Sequence, residues 1–387
     1  MPIPTIDHLF PKGSRLLLTG GGKAFIERIG VEAAKNVVLG ILMGENVRAQ
    51  TEPLTRRRIA QVSGAMIVLF MRGLSELDDF GQRLSDMAEK QIAARKNDRA
   101  SLWLAQWLLG LTGKSVQNVL RSDPKARRQY ISDFETAIAA ASEGCRQEFG
   151  DVRMTLGYAQ DGGGLGRCVE LDWRDITRLT TAIGSLTLTI RGSDKSIYGK
   201  LFERLVLGSV LTILGFQRVD RATNTKPERV FWLSDSSDVR ECDATLLYQM
   251  GKVVRFDIGF IGPGNPEISK DKLTRYASHL EFAGNAHASH TFIVVDRLPP
   301  TGKTRQAAEN IGAEIIQMSM RYWPKDLANR LRDHVGFKHK LQSMPEGQIR
   351  GFLEQELSRV EIQDFLTGIS VSDVANAVDA CSADEAV

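Results

Sequence analysis

The chain has 387 residues, of which 42% are hydrophobic and 25% are charged, a composition typical of a folded globular protein rather than a disordered one. Its 50 Lys and Arg residues nearly balance its 47 Asp and Glu residues, so the formal net charge is only +3. This balance does not by itself indicate a nucleic-acid partner, and it does not exclude one, because basic residues can gather on one face of a nearly neutral protein. The length is sufficient for two domains.

The cysteines and the apolar runs exclude several classes of protein. The longest apolar runs, residues 37–43 and 65–71, are too short to span a membrane, and the amino-terminal sequence lacks the apolar core of a secretory signal. We therefore expect a cytoplasmic protein. Neither a zinc signature nor a disulfide framework is indicated by the four cysteines, which form no CxxC pair: Cys145, Cys168, Cys242 and Cys381.

The first part of the chain is predicted to be mostly helical. From about Ala24 to Gly150, apolar residues recur at intervals of three and four, which is the period of amphipathic helices. The glycine-rich segment 157–175 is predicted to be irregular. The stretch SLTLTIRG, residues 185–192, predicts a short strand. We expect residues 1–180 to form a mostly helical domain.

After Ser196 the pattern changes to a mixture of helices and strands. A helix within 196–216 is apolar on nearly every side, so we expect it to be buried. A strand and a hairpin that turns at Met250–Gly251 follow. The predicted strands are 229–234, 242–249, 252–261, 290–296 and 313–319, with helices after Pro266 and over 303–312. This order predicts an α/β domain over 181–340, with a mixed sheet flanked by helices, and a helical segment and tail over 341–387.

Three acidic residues of the α/β domain are candidates for a metal site. Glu203 lies in the buried helix, Asp243 begins one hairpin strand, and Asp257 lies in the middle of the other. Pairing the hairpin at its turn puts Asp243 roughly across from Asp257. Two carboxylates so close repel unless a cation lies between them, and Mg²⁺ prefers one or two carboxylates with waters and a phosphate oxygen. Each acid alone is more often a structural ion-pair partner, and the order of the elements favours a metal site for the set.

The sequence of this α/β domain resembles a known class of nuclease. The stretch from Tyr198 to Arg275 resembles the core of type II restriction endonucleases of the PD-(D/E)xK superfamily, and the string DIGFIGPGNPEISKDK looks most like the CfrBI-like family. The resemblance implies a PD-(D/E)xK nuclease core in 181–340 and a role of 1–180 in DNA recognition or dimerisation. It also implies that Glu203, Asp243 and Asp257 are catalytic and bind Mg²⁺.

One position departs from the pattern of this superfamily. The pattern has a catalytic lysine two residues after the second acid, and this sequence has Gly259 there. The following predicted helix offers Lys272 and Lys270. We predict that Lys272 assists the attacking water, with Lys270 as the second candidate. The alternative is that the chain is an inactive relative.

Basic clusters in the helical region predict DNA contact. Their arginines can bind phosphates or, with two hydrogen bonds, guanine edges: Arg56, Arg57, Arg58, Arg127 and Arg128. For each cluster the alternative is a solvated helix face. The resemblance implies double-stranded DNA as the substrate and a companion DNA methyltransferase acting on the same site. A palindromic target would call for a homodimer.

The sequence thus predicts a sequence-specific double-stranded DNA endonuclease that hydrolyses phosphodiester bonds with Mg²⁺. Two other functions stay open: a catalytically inactive nuclease-fold protein that binds DNA, and a repair or defence nuclease without fixed specificity. A phosphate-binding loop is excluded at LTGKS, residues 111–115, because the required first glycine is replaced by Leu108. The six histidines show no metal-binding spacing.

Overall fold

The computed structural model describes residues 5–94, 98–112, 123–159, 165–220, 228–234, 242–260, 289–296 and 313–371. The chain divides into two compact units. The helical unit comprises Met1–Gly20 and Thr55–Asp194, and the sheet unit comprises Gly21–Leu54 and Lys195–Val387. The predicted combination of a mostly helical part and a mixed α/β part is confirmed.

Helices account for most of the chain before the sheet. They are α1 Ile6–Leu9, α2 Lys12–Thr19, α3 Gly22–Ile29, α4 Val31–Leu42, α5 Val47–Glu76, α6 Phe80–Ala93, α7 Arg99–Leu108, α8 Pro124–Phe149 and α9 Trp173–Ile213. Between α8 and α9, strands β1 (Met154–Ala159) and β2 (Leu165–Leu171) pair antiparallel, where an irregular segment was expected. Across the described residues, no helix is long and apolar enough to cross a membrane.

The predicted strand over residues 185–192 is wrong, because these residues belong to helix α9. The hydroxyls of Thr187 and Thr189 donate hydrogen bonds to backbone carbonyls four residues earlier, as threonines in helices often do. The threonines favour a strand locally, but packing of one helix face overrides this propensity. The buried residues follow the helical period: Leu179, Ala182, Leu186 and Ile190.

The sheet has six strands in the order β3-β4-β5-β6-β7-β8. Their bounds are Gln217–Arg218, Val230–Leu233, Ala244–Gln249, Lys252–Gly259, Ser289–Val295 and Ala313–Gln317. Strands β4, β5 and β6 pair antiparallel, whereas β3 with β4, β6 with β7, and β7 with β8 pair parallel. The sheet is therefore mixed, as predicted.

Strand β6 has one apolar face and one polar face. Val254, Phe256 and Ile258 are completely buried, whereas Arg255 and Asp257 are partly exposed. This alternation matches the two-residue period predicted from the sequence. It places Asp257 on the face opposite the apolar core residues of its strand.

Chain segments far apart in sequence complete the sheet unit. Helices α10 (Trp323–Val335) and α11 (Glu346–Ser358) and the 3-10 helices Lys340–Gln342 and Ile362–Leu366 follow the sheet. The indole of Trp323 donates to the carbonyl of Ile41 in α4 at 2.9 Å, and Gly21 forms a β-bridge with Ser370. The compact units are therefore divided differently from the predicted ranges 1–180, 181–340 and 341–387.

Two glycines of helix α9 should respond oppositely to alanine. A Cβ at Gly208 would lie 2.5 Å from the ring of Phe365, whereas a Cβ at Gly199 meets no atom within 4 Å. We expect Gly208→Ala to lower the free energy of unfolding by about 1 to 3 kcal/mol through overpacking. Gly199→Ala should raise it by about 0.5 to 1 kcal/mol, because alanine is the better helix former. Urea unfolding of both variants measures the difference, and equal effects would contradict this packing.

Candidate functional site

The two predicted aspartates of the β5–β6 hairpin lie opposite each other. Asp243 directly precedes β5, and the first residue of β5, Ala244, pairs with Phe256. Continuing this register by one residue puts Asp243 across from Asp257, on the same face of the sheet. The Oδ2 atom of Asp243 accepts a hydrogen bond from the backbone N–H of Ile258 at 2.7 Å. This bond fixes the Asp243 carboxylate at the end of the hairpin.

The thiol of Cys242 lies close to this pair of carboxylates. Its sulfur is 3.2 Å from the Thr245 hydroxyl oxygen. The pKa of Cys242 is raised to about 11, chiefly by burial and also by the negative charges of Asp257 and Asp243, against the opposing effects of Thr245 and Arg255. The thiol therefore stays protonated at neutral pH. Both carboxylates thus contribute to a negative potential that favours a cation.

Glu203, the third predicted acid, lies in helix α9. Its Oε2 atom is 3.3 Å from the amino group of Lys200, one turn earlier, and its side chain is 13% exposed. Within the described residues, no group of three or more His, Cys, Asp and Glu side chains is arranged to hold a metal ion. The structure thus does not assemble Glu203, Asp243 and Asp257 into one set of three ligands. The two aspartates alone suit Mg²⁺, which commonly binds through one or two carboxylates and completes its shell with water and phosphate oxygens.

Arg204, next to Glu203, links helix α9 to the strand ends near Asp243. Its Nε atom donates to the carbonyl of Phe365 at 2.8 Å, and its Nη1 atom donates to the carbonyl of Ser234. Ser234 in turn donates through its backbone N–H to the carbonyl of Asp243 at 3.2 Å. Neither residue was predicted to belong to the site. The sequence feature that could have indicated Arg204 is the presence of a charged residue inside the apolar stretch LFERLVLG.

The predicted lysines, Lys272 and Lys270, lie outside the described residues. Gly259, where the superfamily pattern has its lysine, is buried at the end of β6 and pairs with Val295 of β7. It lies two residues after Asp257 and on the same face of the strand. Gly259 therefore does not supply the cationic side chain that the superfamily pattern has at this position.

The predicted DNA-contact residues differ in their exposure. Arg56, Arg57 and Arg128 are exposed. Arg58 is completely buried, where its Nε atom donates to the carbonyl of Leu17 at 2.9 Å and its guanidinium pairs with Asp194. The prediction that Arg58 contacts DNA is wrong, because its guanidinium is enclosed within the helical unit.

Arg127 has little surface to offer a ligand. Its side chain is 11% exposed, and its Nε atom lies 3.8 Å from a carboxylate oxygen of Glu89. A contact with a DNA phosphate would need this side chain to leave its acidic neighbour. The neighbouring Arg128 is the more accessible residue of the pair.

Comparison with known proteins identifies the family. The family model for the CfrBI restriction endonuclease matches residues 31–303, which is more than half of the chain. This chain belongs to the CfrBI restriction endonuclease family. The type II restriction enzyme CfrBI of Citrobacter freundii is 30% identical to it over 343 residues, which cover 88% of this chain and 93% of that enzyme. No solved structure matches the chain.

Membership of the CfrBI family confirms the predicted resemblance and the prediction of an enzyme, a type II site-specific deoxyribonuclease. The range matched by the CfrBI family model contains the three predicted acids and the two predicted lysines: Glu203, Asp243, Asp257, Lys270 and Lys272. The β5–β6 hairpin with its opposed aspartates therefore lies inside the range that the family model matches. The 3-10 helix that contains Phe365 lies beyond that range.

Proposed function

We propose that this CfrBI-family protein is a sequence-specific double-stranded DNA endonuclease that hydrolyses phosphodiester bonds with Mg²⁺ on a PD-(D/E)xK nuclease core. The observation that carries the proposal is the pair of opposed aspartates, Asp243 and Asp257, at one end of the β5–β6 hairpin. A mixed sheet supports them, and the negative charge that they share favours a divalent cation. Membership of the CfrBI restriction endonuclease family supports DNA as the substrate class.

Asp243 and Asp257 are the residues that would hold the Mg²⁺ ion. The hydrogen bond from the Ile258 N–H orients the Asp243 carboxylate without a cation, so little reorganisation is needed on binding. A bound Mg²⁺ would act as a Lewis acid toward the scissile phosphate and lower the pKa of the attacking water. Because Mg²⁺ keeps several waters, Glu203 can act through one of them without direct ligation.

We assign the role of orienting the attacking water, or neutralising the developing charge, to Lys272, with Lys270 as the second candidate. Both belong to the segment that follows Gly259, which lacks the side chain for this task. Lys272→Ala should lower the cleavage rate by about 10²-fold or more, as removal of one preorganised donor to a developing charge does. Lys270→Ala tests the second candidate in the same way, and cleavage assays at saturating Mg²⁺ measure both variants. Wild-type cleavage by Lys272→Ala would remove Lys272 from the site.

The proposed partner is double-stranded DNA, cut by a homodimer in which each subunit cleaves one strand of a palindromic site. Arg56, Arg57 and Arg128 are exposed and are the proposed contacts to DNA phosphates. Such an enzyme, acting in the cytoplasm, needs a companion DNA methyltransferase that protects the same sites in the host DNA.

Incubating the purified protein with plasmid DNA and Mg²⁺ tests the proposal. We expect discrete fragments with Mg²⁺ and intact plasmid with EDTA. A smear of fragments would instead indicate a nuclease without fixed specificity. Intact plasmid together with a mobility shift would indicate an inactive DNA-binding protein, and either result would contradict the proposed function.

A further inference from the structure

We propose that Arg204 is a positioning residue: together with Ser234 it forms a clamp that holds Asp243 in place for metal binding. This inference deepens the proposed function and rests on it. We call the pair the Arg204–Ser234 clamp. Its bonds join helix α9, the end of strand β4 and the start of strand β5, all within the sheet unit.

The first part of the argument is the register of three neighbouring strands. Leu233, the last residue of β4, pairs with Ala244, and Ala244 pairs with Phe256. One residue further along, the same register places Ser234, Asp243 and Asp257 in a single row across the sheet. Ser234 is therefore the neighbour of Asp243 on the side away from Asp257.

The second part is the hydrogen bonding of Ser234, which uses each of its polar groups. Its backbone N–H donates to the Asp243 carbonyl at 3.2 Å, its hydroxyl donates to the Cys242 carbonyl, and its carbonyl accepts from Arg204. The bonds to Cys242 and Asp243 hold the backbone immediately before β5. They therefore restrict the direction in which the Asp243 carboxylate points.

The third part is the anchoring of Arg204 itself. The residue is 8% exposed, and its Nε atom donates to the carbonyl of Phe365 in the 3-10 helix Ile362–Leu366. The Phe365 side chain is buried, with its ring centroid 6.5 Å from that of Phe231 in β4. The guanidinium is thus held between two carbonyls, one of which belongs to a well-packed segment. Burying a guanidinium destabilises the folded state unless its N–H groups form hydrogen bonds, and these two carbonyls accept two of those bonds.

Arg204→Lys is the most informative substitution. Lysine keeps the positive charge but presents one nitrogen, so it cannot reproduce the planar pair of donors that joins the Phe365 and Ser234 carbonyls. Loss of a group that orients a metal ligand typically weakens metal affinity by about 10- to 100-fold. We expect the Mg²⁺ concentration for half-maximal cleavage to rise by about that factor, with the KM for DNA unchanged.

Two arginines provide matched controls. Arg218 donates to the carbonyl of Asp364, next to Phe365, and lies 3.3 Å from Asp220, so Arg218→Lys disturbs the same 3-10 helix by another route. Arg58 is a buried arginine of the helical unit, so Arg58→Lys controls for a general loss of stability. Neither control variant should change the Mg²⁺ requirement of the folded enzyme.

A second measurement does not depend on cleavage. Peptide mapping after iodoacetamide treatment, with Cys145 as the internal reference, gives the alkylation rate of Cys242. Cys242 is part of the backbone held by Ser234 and is partly exposed, so release of the clamp should expose its thiol further. We expect at least a tenfold faster alkylation of Cys242 in Arg204→Lys, and wild-type rates in the two controls.

The two measurements separate the clamp from the proposed function. A higher Mg²⁺ requirement and faster Cys242 alkylation, confined to Arg204→Lys, support the clamp. If Arg204→Lys behaves like Arg218→Lys in both measurements, the clamp is contradicted while Mg²⁺-dependent cleavage stands. If the wild-type protein does not cleave DNA, the proposed function fails, and an unchanged alkylation rate of Cys242 would still overturn the clamp.

Discussion

Asp257→Asn should abolish DNA cleavage while leaving the fold and DNA binding intact. The substitution keeps the shape of the side chain but removes one of the two carboxylates proposed to hold Mg²⁺. We expect the cleavage rate to fall by about 10³-fold, the upper range for loss of one preorganised electrostatic contact. Rates at saturating DNA and Mg²⁺, together with mobility shifts in Ca²⁺, measure cleavage and binding separately.

Thermal unfolding tests the effect of Asp257→Asn on Mg²⁺ binding without measuring cleavage. Opposed carboxylates repel, so Asp257→Asn should not lower Tm in the absence of metal. Mg²⁺ should raise the Tm of the wild-type protein, because a ligand that binds only the folded state stabilises it, and it should not raise that of Asp257→Asn. Asp333→Asn, an exposed acid of α10 paired with its neighbour Arg332, is the control. Wild-type cleavage by Asp257→Asn would contradict the metal assignment.

Arg58→Met should strongly destabilise the helical unit. Arg58 is completely buried and pairs with Asp194, whose side chain is 4% exposed. Removing one partner of a buried ion pair leaves an uncompensated charge and costs about 3 to 5 kcal/mol. Chemical denaturation followed by circular dichroism measures this loss. Arg57→Met is the control, because an exposed neighbouring arginine should contribute about 0.5 kcal/mol or less.

The loss in Arg58→Met should also depend on pH. Burial raises the pKa of Asp194, and the charge of Arg58 opposes this shift, so removal of Arg58 raises the pKa further. A carboxyl group whose pKa is raised in the folded state favours folding at low pH, and this contribution is lost as pH rises. Arg58→Met should therefore be less destabilising at pH 5 than at pH 8. An equal loss at both pH values would show that Asp194 is not left as an uncompensated charge.

The strands of the sheet unit were predictable because a strand buried on one face shows apolar residues alternating with polar ones. Val254, Phe256 and Ile258 alternate with polar residues, and the structure buries all three. The strand predicted over 185–192 failed because threonines favour strands locally, whereas the packing that decides the outcome involves one face of a long helix. Strand propensity depends on residues close in sequence, whereas packing depends on contacts with residues far away in sequence.

The position of Arg58 was partly predictable. It lies four residues after Leu54 and four residues before Val62, so the helical period puts it on the buried face that these two residues share. Its exposed neighbours Arg56 and Arg57 lie on other faces of the same helix. Its partner Asp194 is 136 residues away, and no local pattern indicates such a contact.

The opposed aspartates were only approximately predictable from the hairpin, because the turn at Met250–Gly251 pairs Gln249 with Lys252 and would by itself place Asp243 across from Ile258. A register shift between Leu247 and Gln249, for which the sequence gives no clear signal, brings Asp243 across from Asp257. The link from Arg204 to Ser234 was not predictable, because it joins a helix, a strand end and a 3-10 helix through backbone carbonyls. Backbone carbonyls are the same in every residue, so the sequence carries no signal for them. Side chains brought together by a hairpin are therefore easier to predict than contacts made to backbone carbonyls.

The most direct test of sequence-specific cleavage is to sequence the ends of DNA fragments produced by the wild-type protein with Mg²⁺. We predict that every end falls at one fixed position within one short recognition sequence, and that no fragments form in EDTA. Ends scattered without a shared sequence, or intact DNA with both Mg²⁺ and Mn²⁺, would contradict the proposed function.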